Sequence, residues 1–474
     1  MTAPVLLPIS ALLLGAIVVR LGRLRWQGPA LVVFPLAALG LVSAALEAHA
    51  APAGWWSIDP LGVLLGTVAL VIGCCATRYA VRQFAGEVRS RPIVAASLLV
   101  VASVVALDLA STLVALAISW SATSAATLLL LRAGSPSWRS AVVRRALLTF
   151  VAVDGLLLLA LVVPALAGGG VGVLGANGRI SIVAGTALLA ASCLAAAGRA
   201  GFGGRRSWVV GTVATPTSIS ALLHAGVVNA GAVLLVRVES LTGAPRWPVL
   251  VLGVGCMILL VARVPMIRAR ADLKGQLAIS TVSQMAFMLL AVALGWPLLA
   301  LTHLVGHGLY KAGRFMAAGG AIEERARRRR SAPAGRVLAD ATRVLGAVGL
   351  LATSMALGSS LGRGSLAALA VIGPGVTALW WERTRVPVRG AGAGWLVLGS
   401  AIVAYGATVA LGERLLGPSI VIDGWQAPWW SLAACLGGVV VLTGRHRATE
   451  RPSATSSLPA SAPERAVPRV EVAA

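Results

Sequence analysis

The chain has 474 residues, of which 58% are hydrophobic and only 12% charged, and its mean hydropathy is +0.88. A water-soluble domain carries about twice that charged fraction, so the composition excludes a soluble fold for most of the chain. The net charge of +24 would suggest nucleic-acid binding in a soluble protein. Here nearly all the basic residues are arginines between apolar runs, which indicates membrane topology and not a nucleic-acid partner.

Apolar runs of membrane-spanning length follow one another along the chain, because a bilayer needs about 20 apolar residues per helix. We predict an all-α polytopic integral membrane protein with about 14–15 transmembrane helices, within a transmembrane domain over residues 1–443. The first run lacks a basic segment before it and a small-residue cleavage site after it, which favours a transmembrane helix over a removable signal peptide. The predicted runs are 5–19, 29–49, 60–77, 92–107, 109–131, 146–166, 180–198, 209–235, 248–262, 274–296, 298–320, 341–358, 364–381, 394–412 and 429–443.

The region around 180–235 is predicted to contain a broken helix. The segment GFGGRR, residues 201–206, and then Pro216 interrupt the apolar pattern there. Non-helical backbone at membrane depth is tolerated where it is buried in protein or lines a polar cavity. We therefore expect this break to mark a polar interior.

The basic residues are distributed asymmetrically between the two sides of the predicted bundle. Alternate gaps between the runs, together with the tail, hold about 33 of the 40 lysine and arginine residues, so these segments are expected to face the cytoplasm. This places the N-terminus outside and the C-terminus inside a cell membrane, either inner or plasma membrane. The tail, residues 444–474, is rich in Pro, Ser and Ala and is predicted to be disordered, as a solvated end or a partner tether.

The arginine run within residues 325–330 has two interpretations. It could bind anionic membrane lipid or an acidic partner surface, or it could serve orientation alone. The five cysteines lie in apolar runs without metal-ligand spacing, and we expect them to be small buried hydrophobes, with neither disulfides nor zinc. They are Cys74, Cys75, Cys193, Cys256 and Cys435.

Ionisable residues within the predicted spans are candidates for function, because their desolvation must be offset by partners or by a water-filled cavity. Asp108 and Glu239 lie nearer helix ends. The residues at or near mid-span are Asp154, Arg199, His224, Lys274, His303, His307, Lys311 and Arg314.

The densest group of these is in the segment HLVGHGLYKAGRF, where His303, His307 and Lys311 follow one another at intervals of four. Four-residue steps keep the three on one helix face, as a ladder about 12 Å long. Histidine titrates near neutral pH, so this face could pass protons through intervening water. The alternative is that the three residues anchor neighbouring helices by hydrogen bonds. A zinc site is not expected, since the segment lacks the glutamate of HExxH and a third ligand.

Two further segments carry polar residues within apolar runs. In ATPTSISALLHAGVVNAG, Pro216 opens a helix that contains His224, and its small residues could also indicate tight helix packing. In ADLKGQLAISTVSQMAF, Lys274 begins a run whose polar stripe indicates a hydrated interior, although Lys274 itself could extend to the membrane interface. The stripe consists of Ser280, Thr281, Ser283 and Gln284.

Three blocks of the sequence resemble the antiporter-like proton-conducting subunits of respiratory complex I and of Mrp-type cation/proton antiporters. These blocks are PTSISALLHAGVVNAG, DLKGQLAISTVSQ and HLVGHGLYKAGRFMAAGG. The resemblance covers roughly residues 103–322. Within it, LLHAGVVN and GHGLYKA are most similar to the DabB family, the membrane subunits of two-subunit inorganic carbon pumps. The resemblance implies accumulation of bicarbonate or CO2 driven by a proton or sodium gradient. It also implies a hetero-oligomer with a cytoplasmic DabA subunit, which resembles a zinc carbonic anhydrase.

The chain departs from the family pattern at two positions. The family usually has Glu after a Trp in its fifth helix and Lys in its seventh, and the corresponding residues here are Ser121, after Trp120, and Arg199. Arginine stays protonated and cannot release a proton as lysine does. We therefore hypothesise that Arg199 is a fixed charge, paired with an acid such as Asp154. The alternative is an orientation signal together with the neighbouring arginines 205 and 206.

The sequence thus predicts the ion-conducting membrane subunit of an inorganic carbon transporter, with an ion pathway along Lys274, His224, His303, His307 and Lys311. Two alternatives stay open: a proton-pumping subunit of NADH-quinone oxidoreductase and an Mrp-type Na+/H+ antiporter subunit. The runs 341–358 and 364–381 lack a mid-span Lys, Asp or Glu, which disfavours the first alternative more than the carbon pump. Because no glycine-rich strand-to-helix turn lies outside the membrane runs, we expect the chain not to bind NADH. As a transport subunit it is expected to have no catalytic residue and no bound cofactor.

Overall fold

The computed structural model describes residues 3–21, 27–47, 55–135, 140–164, 181–203, 207–268 and 272–318. Within these ranges the regular structure is helical, and the single β contact is an isolated bridge between Trp56 and Ala110. The predicted all-α class is confirmed. The helices are α1 Ala3–Leu21, α2 Gln27–Glu47, α3 Pro60–Gln83, α4 Ser90–Asp108, α5 Leu113–Gly134, α6 Ala141–Pro164, α7 Ile182–Arg199, α8 Trp208–Gly211, α9 Thr217–Ala225, α10 Ala230–Thr242, α11 Trp247–Arg268, α12 Leu273–Ala293 and α13 Pro297–Ala317.

Each predicted run from 5–19 to 298–320 coincides with a helix or, at 209–235, with a series of short helices. The runs after residue 320, the arginine run 325–330 and the tail lie outside the described residues. Helix α13 is more polar than the others, because it carries two histidines, a lysine and an arginine. Within the described ranges, seven helical segments are long and apolar enough to cross a membrane: α3, α4, α5, most of α6, α7, Thr217–Thr242 and α12.

The helix predicted to be broken is interrupted at three places. After α7 the chain turns at Gly201, whose positive φ of +80° would strain a residue with a side chain. A 3-10 turn at Thr212–Ala214 precedes Pro216, which caps the start of α9. A further interruption at Gly226 and the 3-10 turn Val227–Asn229 separates α9 from α10. The first two breaks were predicted, whereas the third, which has no proline, was not.

The broken helix lies at the centre of the bundle. Helix α9 packs against α3, α5 and α13, and α10 packs against α7 and α12. At Gly231, an added Cβ would lie 3.1 Å from the main chain of Ala196, so the small residues of this segment let α7 and α10 approach closely. The freed backbone groups of the break are therefore enclosed by other helices and do not face lipid.

The outward faces of several helices carry large apolar side chains that are exposed, as expected for surfaces that contact lipid. Cys193 and Cys256 are buried as predicted, but Cys75 is exposed and Cys74 half-buried, because both lie on an outer part of α3. The prediction of burial is therefore wrong for Cys75.

The apolar side chains that face outwards are spread over several helices. Those on α1, α2, α6 and α11 include Leu14, Leu39, Leu148, Val151, Leu159, Val251 and Ile258.

Candidate functional site

The five predicted pathway residues lie on three neighbouring helices. Lys274 is on α12, His224 is on α9, and α13 carries His303, His307 and Lys311. Helix α13 contacts both α9 and α12, and it carries the three-residue ladder. We refer to these five residues as the histidine–lysine cluster. His224, His307 and Lys311 are almost fully buried, whereas His303 and Lys274 are half-buried.

The ladder on α13 adopts the geometry expected from its four-residue spacing. The rings of His303 and His307 are stacked, with centroids 6.0 Å apart and an interplanar angle of 28°. One turn further on, Lys311 Nζ donates to the carbonyl of Leu277 at 2.9 Å and to the hydroxyl of Ser280 at 2.5 Å. Lys311 is only 2% exposed, so its ammonium group depends on these partners in α12.

The polar stripe of α12 faces the ladder. Gln284 Oε1 lies 2.5 Å from His303 Nε2, and Ser280 contacts Lys311. Thr281 donates back to the Leu277 carbonyl of its own helix at 2.8 Å, and the hydroxyl of Ser283 is buried with no partner among the described residues. Two of the four stripe residues thus bind the ladder directly.

His224 connects the ladder to the break before α9. Its Nε2 lies 2.7 Å from the hydroxyl of Thr212, which also donates to the Val209 carbonyl at 2.6 Å. Because a hydroxyl has one proton, this geometry favours the tautomer in which His224 Nε2 donates to Thr212. The ring stacks on Phe315 of α13 at 4.5 Å, and His307 reaches the main chain of His224.

Lys274 is joined to His224 by a continuous series of polar groups. Its Nζ donates to the carbonyl of Thr215 at 2.7 Å, at the break. The hydroxyl of Thr215 lies 3.0 Å from that of Ser220, and Ser220 donates to the carbonyl of Thr212, the partner of His224. Lys274 therefore binds the protein interior and does not only extend to the membrane interface.

Several polar atoms around the cluster have no partner among the described residues. They include His224 Nδ1, His307 Nε2 and Asn229 Oδ1, all buried. An unsatisfied buried polar group costs about 1–3 kcal/mol. Ordered water usually satisfies such groups, so the arrangement can pass protons between imidazoles, hydroxyls and ammonium groups through water.

A second buried site contains Arg199 and Asp154, which the sequence suggested as partners. Arg199 is fully buried, and its guanidinium stacks between the rings of Trp120 and Phe150, with its carbon 4.2 and 4.6 Å from their centroids. Its Nη2 donates to Ser124 at 2.6 Å and lies 3.9 Å from Asp154 Oδ1. Trp120 Nε1 donates to the same oxygen at 2.7 Å. The guanidinium is thus enclosed in protein, although arginines 205 and 206, which follow it, lie outside the described residues.

The structure also reveals an ion pair that the sequence analysis missed. Arg237 of α10 forms two hydrogen bonds, of 2.6 and 2.8 Å, with the carboxylate of Asp59, the N-cap residue of α3. It also donates to the main-chain carbonyl of Asp108 at 2.8 Å. A charge in the apolar segment VLLVRVES was a detectable signal. Glu239, two residues later in α10, pairs with Arg246 at 2.8 Å.

Within the described residues, no group of three His, Cys, Asp or Glu side chains lies close enough together to hold a metal ion. His303 and His307 stack on each other without a third ligand.

The comparisons with known proteins identify a family and several relatives. The family model for NADH:quinone oxidoreductase/Mrp antiporter transmembrane proteins matches residues 110–381, more than half of the chain. A probable inorganic carbon transporter subunit DabB of Hydrogenovibrio crunogenus is 39% identical over 154 residues, 32% of this chain and 28% of the relative. NADH-ubiquinone oxidoreductase chain 5 of Strongylocentrotus purpuratus is 38% identical over 139 residues, 28% of this chain and 21% of the relative.

The solved structures confirm the fold. The Mrp complex from Dietzia sp. matches with a TM-score of 0.56 and 22% identity, over 92% of this chain and 49% of that chain. The match to each curated relative covers less than a third of that relative's length. Because the family model covers residues 110–381, the chain belongs to the NADH:quinone oxidoreductase/Mrp antiporter family of transmembrane subunits.

Proposed function

We propose that the chain is the ion-conducting membrane subunit of an energy-coupled inorganic carbon transporter. The observation that carries the proposal is the buried Lys311, which binds α12 beside the stacked His303 and His307. His307 in turn reaches the main chain of His224, whose ring is joined to Lys274 by the polar series described above. The relatives named as probable inorganic carbon transporter subunits DabB support inorganic carbon as the substrate, which we take to be bicarbonate or CO2. A proton or sodium gradient drives the transport.

In this proposal the cluster moves charge between two ends of the bundle. Lys274 lies at the start of α12, at the end of the bundle that carries the arginine-rich loops, and His303 lies towards the other end of α13. A proton passes from the Lys274 ammonium to water, and then along water and the hydroxyls of Thr215, Ser220 and Thr212 to the buried histidines. Lys311 changes its protonation state as the charge passes, because its Nζ has three protons and only two are bound to Leu277 and Ser280.

The partner in this proposal is a cytoplasmic DabA-like subunit that resembles a zinc carbonic anhydrase and carries out the hydration chemistry. The arginine-rich loops 78–91, 132–145 and 323–343 then face the cytoplasm of a cell membrane, with the N-terminus outside. An acidic surface on the partner would complement these loops and membrane lipid would contact the outer helices. No cofactor is required on the membrane subunit.

The second candidate function is proton pumping within an NADH-quinone oxidoreductase or Na+/H+ antiport in an Mrp complex. The relatives named chain 5 and the Mrp fold favour it. Gene neighbourhood separates the candidates. An adjacent gene for a large soluble protein with Cys, His and Asp zinc ligands supports the carbon pump, whereas a full operon of redox subunits supports the alternative.

The carbon-pump proposal is tested by co-expression of the chain with its neighbouring soluble partner in cells that lack carbonic anhydrase and require added CO2. Growth in air that needs both proteins, with uptake of labelled bicarbonate, is the expected result. Failure of the pair to support growth or uptake, although both proteins are present in the membrane fraction, would contradict the proposal.

The docking surface gives a separate prediction. Reversal of the charges of Arg327, Arg328, Arg329 and Arg330 to Glu is expected to weaken co-purification with the soluble partner, because an acidic partner surface would then be repelled. The measurement is the ratio of the two subunits recovered at moderate salt. Unchanged co-purification, with topology intact, would refute this docking role.

The close approach of α13 to the broken helix gives another prediction. An added Cβ at Gly308 would lie 3.0 Å from the Ala225 carbonyl and 3.0 Å from Ile72, whereas one at Gly306 would meet nothing within 4 Å. Gly308→Ala is therefore expected to displace α13 and to lower transport by about tenfold or more, since a misplacement of about 1 Å can cost 100-fold. Gly306→Ala is the matched control, and it should keep wild-type uptake. Equal activity of the two variants would show that this contact does not set the position of His307.

A further inference from the structure

The first turn of α9 begins at the end of the bundle where α12 also begins, and it has no side-chain cap. Helix α9 has nine residues, and its N-cap is Pro216, whose ring offers no hydrogen-bond acceptor. The first main-chain N–H groups of a helix carry a partial positive charge and favour anions. Ala214, just before the helix, is exposed and Thr217 is half-buried, so this helix end lies close to the surface of the bundle.

A buried hydroxyl in this first turn lacks a hydrogen-bond partner. Ser218 is 3% exposed, and its Oγ is buried with no partner among the described residues. Side chains of helical residues tilt towards the helix N-terminus, so this hydroxyl is directed to the start of α9. Buried polar groups normally have a partner. The unpaired hydroxyl therefore indicates an acceptor that binds at this helix end.

The main-chain N–H of the same residue is covered by a group that can be displaced. Ser218 N donates to Oε1 of Gln83 at 3.2 Å. Gln83 is the last residue of α3 and is exposed, so its long side chain is free to turn towards solvent. Hydrogen bonds to an ionised acceptor are about twice as strong as those between neutral groups. An anionic oxygen would therefore bind this N–H more strongly than the neutral amide does.

The charge around this helix end also suits an anion. Lys274 Nζ donates to the carbonyl of Thr215, three residues before Ser218, at 2.7 Å. This bond uses one of the three protons of the ammonium group. The carboxylate of the nearby Asp272 caps α12. Helices α3 and α5, which pack against α9, carry basic residues in their last turns, namely Arg82 and Arg132.

We propose that the first turn of α9 is a binding site for bicarbonate. The proposal rests on the inorganic carbon transport proposed above and names the place where the anion is held. Bicarbonate displaces the amide oxygen of Gln83, and its two carboxylate oxygens accept from the N–H and hydroxyl of Ser218 and from the ammonium group of Lys274. Its own hydroxyl donates to a main-chain carbonyl of the break, which a chloride or nitrate ion cannot do.

The position of the site gives bicarbonate a role in coupling. Lys274 is the first residue of the proposed ion path, and its Nζ binds the same break that precedes α9. A bound anion offsets the charge of Lys274, and its departure exposes that charge again. The site therefore couples the presence of bicarbonate at this end of the bundle to the entry of charge into the path.

Thermal unfolding of the purified full chain in detergent tests the site. The soluble partner is left out, because a carbonic-anhydrase-like protein could itself bind bicarbonate. A ligand that binds the folded state raises the unfolding temperature, so wild-type protein is expected to respond to bicarbonate and not to nitrate at equal ionic strength and pH. Ser218→Ala should need about tenfold more bicarbonate for the same rise, the effect of a lost hydrogen bond to a charged ligand.

Ser97→Ala is the matched control for the serine variant. Ser97 is also buried, but its hydroxyl donates to the Ile93 carbonyl of its own helix at 2.8 Å. The control should bind bicarbonate as the wild type does. A loss of affinity in Ser218→Ala alone then reports the site and not a general effect of removing a buried hydroxyl.

Two substitutions of the exposed Gln83 give opposite predictions. Gln83→Glu places a carboxylate at the Ser218 N–H and should abolish the response to bicarbonate, whereas Gln83→Ala removes the competing oxygen and should keep or strengthen it. Equal affinity of wild type, Ser218→Ala and Gln83→Glu would overturn the site, as would an equal response of the wild type to nitrate and bicarbonate. Selective binding by the chain without bicarbonate uptake by the complete complex would contradict only the proposed function, and uptake without such binding would overturn only the site.

Discussion

Replacement of Lys311 by alanine is expected to abolish growth in air that depends on inorganic carbon uptake, and His307→Ala is expected to do the same. Lys311 is buried and binds α12 through Leu277 and Ser280, and His307 lies one turn before it. Loss of a group that exchanges protons typically lowers a rate by about 100-fold to 10,000-fold. The measurement is growth in air and bicarbonate uptake at matched membrane expression.

Two further variants sharpen this prediction. Lys311→Arg keeps the charge but cannot release its proton, so it should fail as alanine does. Lys274→Ala should have a smaller effect, because Lys274 is half-buried at a helix end, where it binds the Thr215 carbonyl. Rescue of the Lys311 and His307 variants by high CO2 identifies a transport defect. Wild-type growth of both in air would rule out the relay.

Substitution of Arg199 is expected to have the second largest effect. Arg199→Gln removes the fixed charge from a fully buried site and leaves Asp154 without its cationic partner. Removal of one partner from a buried ion pair costs about 3–5 kcal/mol. We therefore expect both a loss of folded protein and a loss of transport, measured as protein amount in the membrane and as bicarbonate uptake.

Arg199→Lys and the double variant Arg199→Gln/Asp154→Asn separate stability from function. Lysine keeps the charge but cannot fill the planar space between Trp120 and Phe150. Loss of transport in Arg199→Lys, with normal membrane insertion, would support a role specific to the guanidinium. The double variant should recover protein amount without transport, since it removes the unpaired carboxylate. Full activity of Arg199→Gln would rule out the fixed-charge role.

Much of the helical architecture follows from the sequence, because a bilayer imposes a length of apolar residues on every span. The breaks at Gly201 and Pro216 were also predictable, since glycine in a left-handed turn and proline at a helix start have local causes. The break at Gly226 has a glycine but neither a proline nor a positive φ, so its local signal is weaker. It lies where α13 packs closely against the chain through Gly308, a tertiary contact that the sequence does not show.

The candidate site divides in the same way. The spacing of His303, His307 and Lys311 gives their common face directly, whereas their partners Gln284 and Ser280 belong to another helix. Their identity depends on how α12 and α13 pack, which a single sequence does not encode locally.

Contacts between distant segments were hardest to predict. The pairing of Arg237 with Asp59 joins residues far apart in the chain, and the bond from Lys274 to Thr215 depends on the fold of the broken helix. The charge of Arg237 within an apolar segment was visible, but its partner was not. The pair Arg199–Asp154 was suggested by charge alone, and the aromatic rings on either side of Arg199 were found only in the structure.

The most direct test of the central claim is uptake of labelled bicarbonate into vesicles that contain the chain and its soluble partner, under an imposed proton or sodium gradient. The proposal predicts that uptake by the wild-type complex requires one of these gradients, and that Lys311→Ala, reconstituted at the same amount, shows no gradient-driven uptake. Uptake that is equal in both complexes, or that persists without any ion gradient, would contradict an ion path through the histidine–lysine cluster.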